Sequence, residues 1–219
     1  MRNPNLLVYV VIDSSASLGV AVEEFEAGLL TLAAALQRDP VVADVVKLCV
    51  ICFATEAKVL VPLTSPADFN VPQFAASGST NYGSAFQLVR KVLNDDVSRL
   101  KGQGVAVYRP LVFFVTDGVP TDTDWRRSLD ALKSPMFVFR PTVHVFGFGS
   151  ADPLILGEIA APTGQAFILP QTDAHADAIR SIVHVLTESL SSIASSSTAR
   201  GEQVEVHVPA GWVGIDDTF

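Results

Sequence analysis

Three short oxygen-rich segments interrupt an apolar chain: Asp13-Ser14-Ser15-Ala16-Ser17, Ser77-Gly78-Ser79-Thr80-Asn81-Tyr82-Gly83 and Thr116-Asp117-Gly118. Within them Asp13, Ser15, Ser17, Thr80 and Asp117 offer two carboxylates and three hydroxyls, with no imidazole or thiolate close by in sequence. That is the donor set of a hard cation: Mg2+ fits best, and Mn2+ and Ca2+ share the preference for oxygen. Two carboxylates cancel a divalent charge while hydroxyls add none, so an ion held there stays electrophilic toward one more anionic oxygen. Mg2+ wants six oxygens and usually keeps waters, which leaves a position for an acidic side chain of a protein partner. Taken singly, a Ser or Asp at a strand end is more often a helix cap than a ligand. The ordered set of three segments reverses that weighting.

Such a set needs elements that bring it together. Leu6 to Ile12 is a continuous apolar run stopped by Asp13, and Leu111 to Val115 is another that ends at Thr116-Asp117-Gly118. Both have the pattern of a strand buried on two faces. In an open α/β sheet, ligands bind beyond the carboxyl ends of such strands, where the strand order reverses, so Asp13 and Asp117 meet if their strands are neighbours. Further strands are expected at Val45 to Ala54, Ala57 to Leu63, Thr142 to Phe148 and Ala166 to Leu169. Thr55-Glu56 is too short for a parallel crossover and makes the second of these an antiparallel edge. Apolar residues at spacings of three and four predict helices over Val22 to Leu36, ended by Asp39-Pro40, Phe86 to Leu100 and Ile179 to Ile193. Two shorter helices are expected at Trp125 to Leu132, capped from Thr123 or Asp124, and at Pro153 to Ala160 behind Asp152. The sum is six strands and five helices in βαββαβαβαβα order. The fold class is therefore α/β, an open, mostly parallel sheet with helices on both faces. A serine-rich stretch, Ser191 to Ser197, separates a domain over 1–196 from a C-terminal extension over 197–219, read as a short strand around Val204, Val206 and Val208 plus a docking segment at Trp212 to Ile215.

Composition narrows the function. Of 219 residues 49% are hydrophobic and 17% charged, which calls for a large core. The formal charge of -8 opposes non-specific phosphate binding, and the only adjacent basic pairs are Arg90-Lys91 and Arg126-Arg127, so nucleic acid is not an expected partner. Phe69 to Val89 carries no charge, yet recurrent Asn, Gln, Ser and Thr argue against a membrane helix. The start lacks the features of a signal peptide, so a cytoplasmic location is expected. Cys49 and Cys52 lie three apart on one strand and face opposite sides, which suits two buried thiols and not a shared metal.

Other chemistries fare worse. The glycines of Gly78 to Gly83 lack the lysine of a phosphate loop, and Gly147-Phe148-Gly149 is a lone pair of turning glycines. His144, His175, His184 and His207 accompany no serine in a recognisable triad. A Mg2+-dependent phosphatase or phosphotransferase with Asp13 as nucleophile is the alternative, but its usual second acid would fall at position 15, which is Ser. In the extension, Asp216 or Asp217 could supply an oxygen to the metal of a neighbouring copy.

Asp13-x-Ser15-x-Ser17, then Thr80, then Asp117-Gly118 resembles the metal-ion-dependent adhesion site of von Willebrand factor A (VWA) domains, and the likeness runs over about residues 6 to 195. Pro62-Leu63-Thr64, Ala76-Ser77-Gly78 and Arg109-Pro110-Leu111-Val112-Phe113 through Asp117-Gly118-Val119-Pro120-Thr121-Asp122 resemble the bacterial TerY-type (tellurium-resistance Y-like) subgroup. The resemblance implies a Rossmann-like sheet with Mg2+ at its top, held directly by Ser15, Ser17 and Thr80 and through water by the two aspartates. It also implies a non-enzymatic scaffold in tellurium or stress resistance, with Ser/Thr kinases or phosphatases as partners. Ala16, Leu18 and Ser79 stand where the family usually has Gly, Met and Gly; none of these removes a ligand oxygen, and Ala16 matters only if its φ must be positive.

Overall fold

The computed structural model describes residues 4–71, 73–169, 175–195, 206 and 211–215. The chain runs β1 (Leu6–Asp13), α1 (Val22–Gln37), α2 (Pro40–Val45), β2 (Val46–Phe53), β3 (Ala57–Thr64), α3 (Tyr82–Gly102), β4 (Leu111–Thr116), α4 (Trp125–Lys133), β5 (Thr142–Gly147), α5 (Pro153–Ala160), β6 (Ala166–Ile168), α6 (His175–Ser195) and β7 (Val213–Ile215). They form one sheet in the order β3-β2-β1-β4-β5-β6-β7. The five inner strands are parallel, while β3 and β7 are antiparallel edges. The strand order reverses between β1 and β4, where Ile12 stands beside Val115 and the oxygen-rich segments leave the two strands together.

Alternation along β1 divides the core. Leu6, Val8, Val10 and Ile12 pack under α1 and α6. Leu7, Tyr9 and Val11 pack on the other face, under α3, α4 and α5. All eight residues of β1 are buried, the reason it reads as an unbroken apolar run. Cys49 and Cys52 are free and buried, as the strand period requires.

Among the described residues the sheet departs from expectation in having seven strands, not six, and antiparallel strands at both edges. Val213–Ile215 pairs with β6 over three residues, too short a run for sequence periodicity to reveal. The strand expected around Val204 and Val208 lies outside the described residues; Val206 is buried and in no strand. Asp216, Asp217, His207 and the end of the serine stretch also lie outside them. A helix not expected from the sequence, α2, follows Asp39-Pro40, which therefore both ends one helix and starts another. The Asp39 carboxylate accepts from Val41 N at 2.8 Å and Val42 N at 3.3 Å, with Pro40 in the first turn. Asp124 holds the N-cap position of α4 without a side-chain bond to it.

His144 on β5 is a polar group buried in the core. It is 1% exposed, its ring stacks on Phe113 at 5.5 Å between centroids, and neither ring nitrogen has a hydrogen-bond partner. Burial pushes its pKa down to about 4, from an ordinary 6.5. The unfolded chain thus takes up the proton first: the stability is fully present above pH 6.5 and is lost as pH falls toward 4, amounting to about 2 kcal/mol by pH 5. Unfolding free energies from urea titrations at pH 7 and pH 5 should fall by that much more in the wild type than in His144→Leu. Equal falls would show that His144 is not buried neutral.

Candidate metal centre

The three segments meet at the β1/β4 switch point and are tied to one another by main chain. Ser14 N donates to Phe53 O at 2.7 Å, Ser77 N to Ser14 O at 2.9 Å and Ala16 N to Gly78 O at 3.2 Å, so the first loop lies between the end of β2 and the second loop. Gly78 has φ 79°, and a Cβ there would stand 2.5 Å from Thr55 Oγ1, so only glycine fits this crossing. Ala16 opens a 3-10 turn, Ala16–Ala21, in which only Gly19 leaves helical angles, with φ 54°. The methyl group at position 16 is therefore unstrained.

All five residues singled out in the sequence come to this place. Ser15 Oγ lies 3.0 Å from Ser17 Oγ, and Ser17 Oγ donates to Asp117 Oδ1 at 2.9 Å. Asp13 Oδ1 accepts from Ser15 N at 2.9 Å, and Asp13 Oδ2 from Thr116 Oγ1 at 2.7 Å. Thr80 is buried beside Gly118, its Oγ1 3.8 Å from where a Cβ on that glycine would sit. Ser17 alone is exposed, at the mouth of the cluster.

Asp13 and Asp117 are 1% and 2% exposed, and no salt bridge among the described residues includes either. Burial pushes both carboxyls above their ordinary range. Hydrogen bonds from Thr116 and Ser15 pull Asp13 back, while the Asp117 charge adds to its rise. Ser17 and then the charge of His175, at the start of α6, pull Asp117 back. Asp117 Oδ2 is buried with no hydrogen-bond partner. A buried acceptor without a donor, beside a second buried carboxylate and three hydroxyls, suits a hard divalent cation. Among the described residues no three His, Cys, Asp or Glu side chains converge.

Supporting residues escaped the sequence reading. The Tyr82 hydroxyl lies 3.0 Å from Thr116 Oγ1 and 2.9 Å from Gly118 O, bracing the turn that carries Asp117. Asp122 accepts from Tyr82 N at 2.9 Å and Gly83 N at 3.1 Å. It caps α3 together with Asn81, whose Oδ1 accepts from Ser84 N at 2.8 Å. Thr121 donates to the Thr80 carbonyl through N and Oγ1 at 2.9 and 3.1 Å, locking the second and third loops together. Ser150 N and Oγ both reach Asp117 O, at 2.9 and 3.1 Å.

A Rossmann-like mixed sheet with a cluster of buried carboxylates and hydroxyls at its switch point defines a class of α/β module whose candidate site lies on the loops at one sheet end. The family model of the von Willebrand factor type A domain matches residues 8–184, and the chain belongs to that family. No curated protein sequence matches the chain at a significant level. Among solved structures it is similar to a von Willebrand factor type A protein from Catenulispora acidiphila, with 19% identity, a TM-score of 0.61 and coverage of 84% of this chain and 43% of that one. It is also similar to proximal thread matrix protein 1 from the mussel byssus, described with a zinc-occupied metal-ion-dependent adhesion site, with 17% identity, a TM-score of 0.60 and coverage of 86% and 48%. A third likeness is to manganese-loaded TRAP protein of Plasmodium vivax, with 22% identity, a TM-score of 0.52 and coverage of 73% and 64%. The chain thus spans less than half of the first two solved chains and under two thirds of the third. Among the described residues no helix is long and apolar enough to cross a membrane.

Proposed function

We propose that the chain is a divalent-cation-dependent protein-binding module, with Ser15, Ser17 and Thr80 as direct oxygen donors and Asp13 and Asp117 as the charged members of the set. The observation that carries this reading is the buried, partnerless Oδ2 of Asp117 among hydroxyls and a second buried carboxylate. Mg2+ bound there supplies an electrophile for one acidic side chain of a partner. The chain's own residues hold the arrangement: Thr116 and the Ser15 amide fix the Asp13 carboxylate, and Tyr82 braces the Asp117 turn. The zinc and manganese in the two similar structures support a divalent ion in general. Asp13 is ill placed to attack a phosphoryl group, being 1% exposed with both oxygens engaged, so a non-enzymatic role is favoured over phosphoryl transfer.

The finer role, a cytoplasmic scaffold of the TerY type working with Ser/Thr kinases or phosphatases in tellurium or stress resistance, rests on the subgroup motifs alone. Calorimetric titration with MgCl2 should give saturable heat. Affinity capture with the chain as bait should then recover partners in Mg2+ that are lost in EDTA. No heat with Mg2+ or Mn2+, or the same partners in EDTA, would overturn the reading. Turnover of an aryl phosphate that disappears in Asp13→Asn would favour the enzyme instead.

A further inference from the structure

At the other end of the sheet, where β4 and β5 begin, lies a groove of about 210 Å3. Lys101 reaches it from the end of α3, Arg109 from the loop before β4 and Arg140 from the loop before β5, around walls that include Tyr108, Val138 and Phe139. No two of these cations are adjacent in sequence, so inspection of basic pairs misses them. None is ion-paired among the described residues, whose salt bridges use Arg99, Arg126, Arg180 and His184. Lys101 Nζ lies 4.9 Å from the Phe139 ring centroid, and Arg140 donates to Pro135 O at 3.3 Å. Among the described residues no carboxylate lines the groove. In a chain with 23 acidic and 15 basic residues, that is a local reversal of sign.

The walls are preorganised. Tyr108 N donates to Asn5 O at 2.9 Å and Thr142 N to Pro110 O at 3.0 Å, pinning the loop before β4 to both sides of the sheet end. Arg140 N donates to Phe137 O at 3.0 Å, holding the other wall. Val138 in the wall is 79% exposed, and Met136, two residues before it in the chain, is 89% exposed. Drug-sized and cofactor pockets start at roughly 300 Å3, so this groove suits one or two side chains. Arginine and aromatic rings are the groups enriched where proteins meet.

We propose that this groove docks an acidic peptide segment of a protein partner, with an apolar side chain between the aromatic walls and flanking carboxylates on Lys101, Arg109 and Arg140. Six residues of β4 separate it from the Asp117 end, roughly 20 Å at strand rise, so it works without the metal centre. The occupant is argued from charge complementarity: opposite sign fixes register and speeds encounter.

The test is a displayed library of random seven-residue peptides panned on the full chain in EDTA, which takes any cation site out of play. Selected peptides should carry two or more Asp or Glu around an aromatic or long aliphatic residue. Measured by fluorescence anisotropy, their binding should weaken at least tenfold in Lys101→Glu/Arg109→Glu and stay unchanged in Arg126→Gln, an exposed cation outside the groove. The neutral pair Lys101→Gln/Arg109→Gln, with an intermediate loss, keeps the test sound should charge reversal disturb folding. Selection of peptides without acidic residues, no selection at all, or binding by both paired variants equal to that of the wild type would overturn the proposal.

Discussion

Asp117→Asn should abolish the heat of Mg2+ binding and at the same time raise the urea midpoint of the metal-free chain. Loss of one of two carboxylates weakens a hard-cation site by a factor on the order of 100 or more, because ligand charge sets such affinities. The gain in stability follows from burial. Burial penalises the charged carboxylate, and the neutral amide of asparagine escapes that penalty, its Nδ2 taking the place of the partnerless Oδ2. The asparagine oxygen can still accept from Ser17 Oγ in place of Oδ1. Because burial raises the Asp117 pKa in the folded state, the folded chain binds its proton more readily than the unfolded one. Wild-type stability from this group is therefore present at low pH and lost as pH rises through the raised value. The advantage of Asn should be largest near pH 7 and vanish below the ordinary carboxylate range. Calorimetry and urea titrations in EDTA over that pH interval measure both halves, and a variant that binds Mg2+ as well as wild type would remove Asp117 from the site.

Thr116→Val should lower both stability and metal affinity although Thr116 is not among the proposed donors. Its hydroxyl donates to Asp13 Oδ2 at 2.7 Å, and valine, of the same shape, would leave that oxygen buried without a donor. A hydrogen bond to a charged group contributes about 1.5–3 kcal/mol. Groups that orient a ligand typically account for roughly 10–100-fold in metal affinity. Thr116→Ser keeps the hydroxyl and should restore most of both. If Val and Ser variants bind Mg2+ alike, the bond to Asp13 has no bearing on the site.

β1 and β4 were legible because strands buried on both faces must be apolar throughout, and an acid at the end of such a run marks where burial stops. That places Asp13 and Asp117 at strand ends, and Ser15, Ser17 and Thr80 in the loops beside them. What joins the ends is register: Thr116 and Asp13 are 103 residues apart, and no local pattern announces their bond. Asp122 capping a helix 40 residues earlier is hidden for the same reason. Asp39-Pro40 misled because a Pro that stops one helix also suits the first turn of the next. β7 is three residues long, and its strand character comes from the edge of β6, not from its own sequence.

The burial of β1 has one more consequence, which amide hydrogen exchange would register. Val8 to Ile12 are paired with β2 on one side and β4 on the other, with every side chain inside. Such amides are released to solvent only when the whole domain opens, whereas Val213, half exposed on a three-residue edge strand, can be freed by local fraying. Asp13 therefore ends a strand whose amides should be among the slowest to exchange. A ligand bound at its carboxyl end raises the free energy of global opening, so protection should increase as much at Val8, far from the ligand, as at Ile12 beside it, and little at β7.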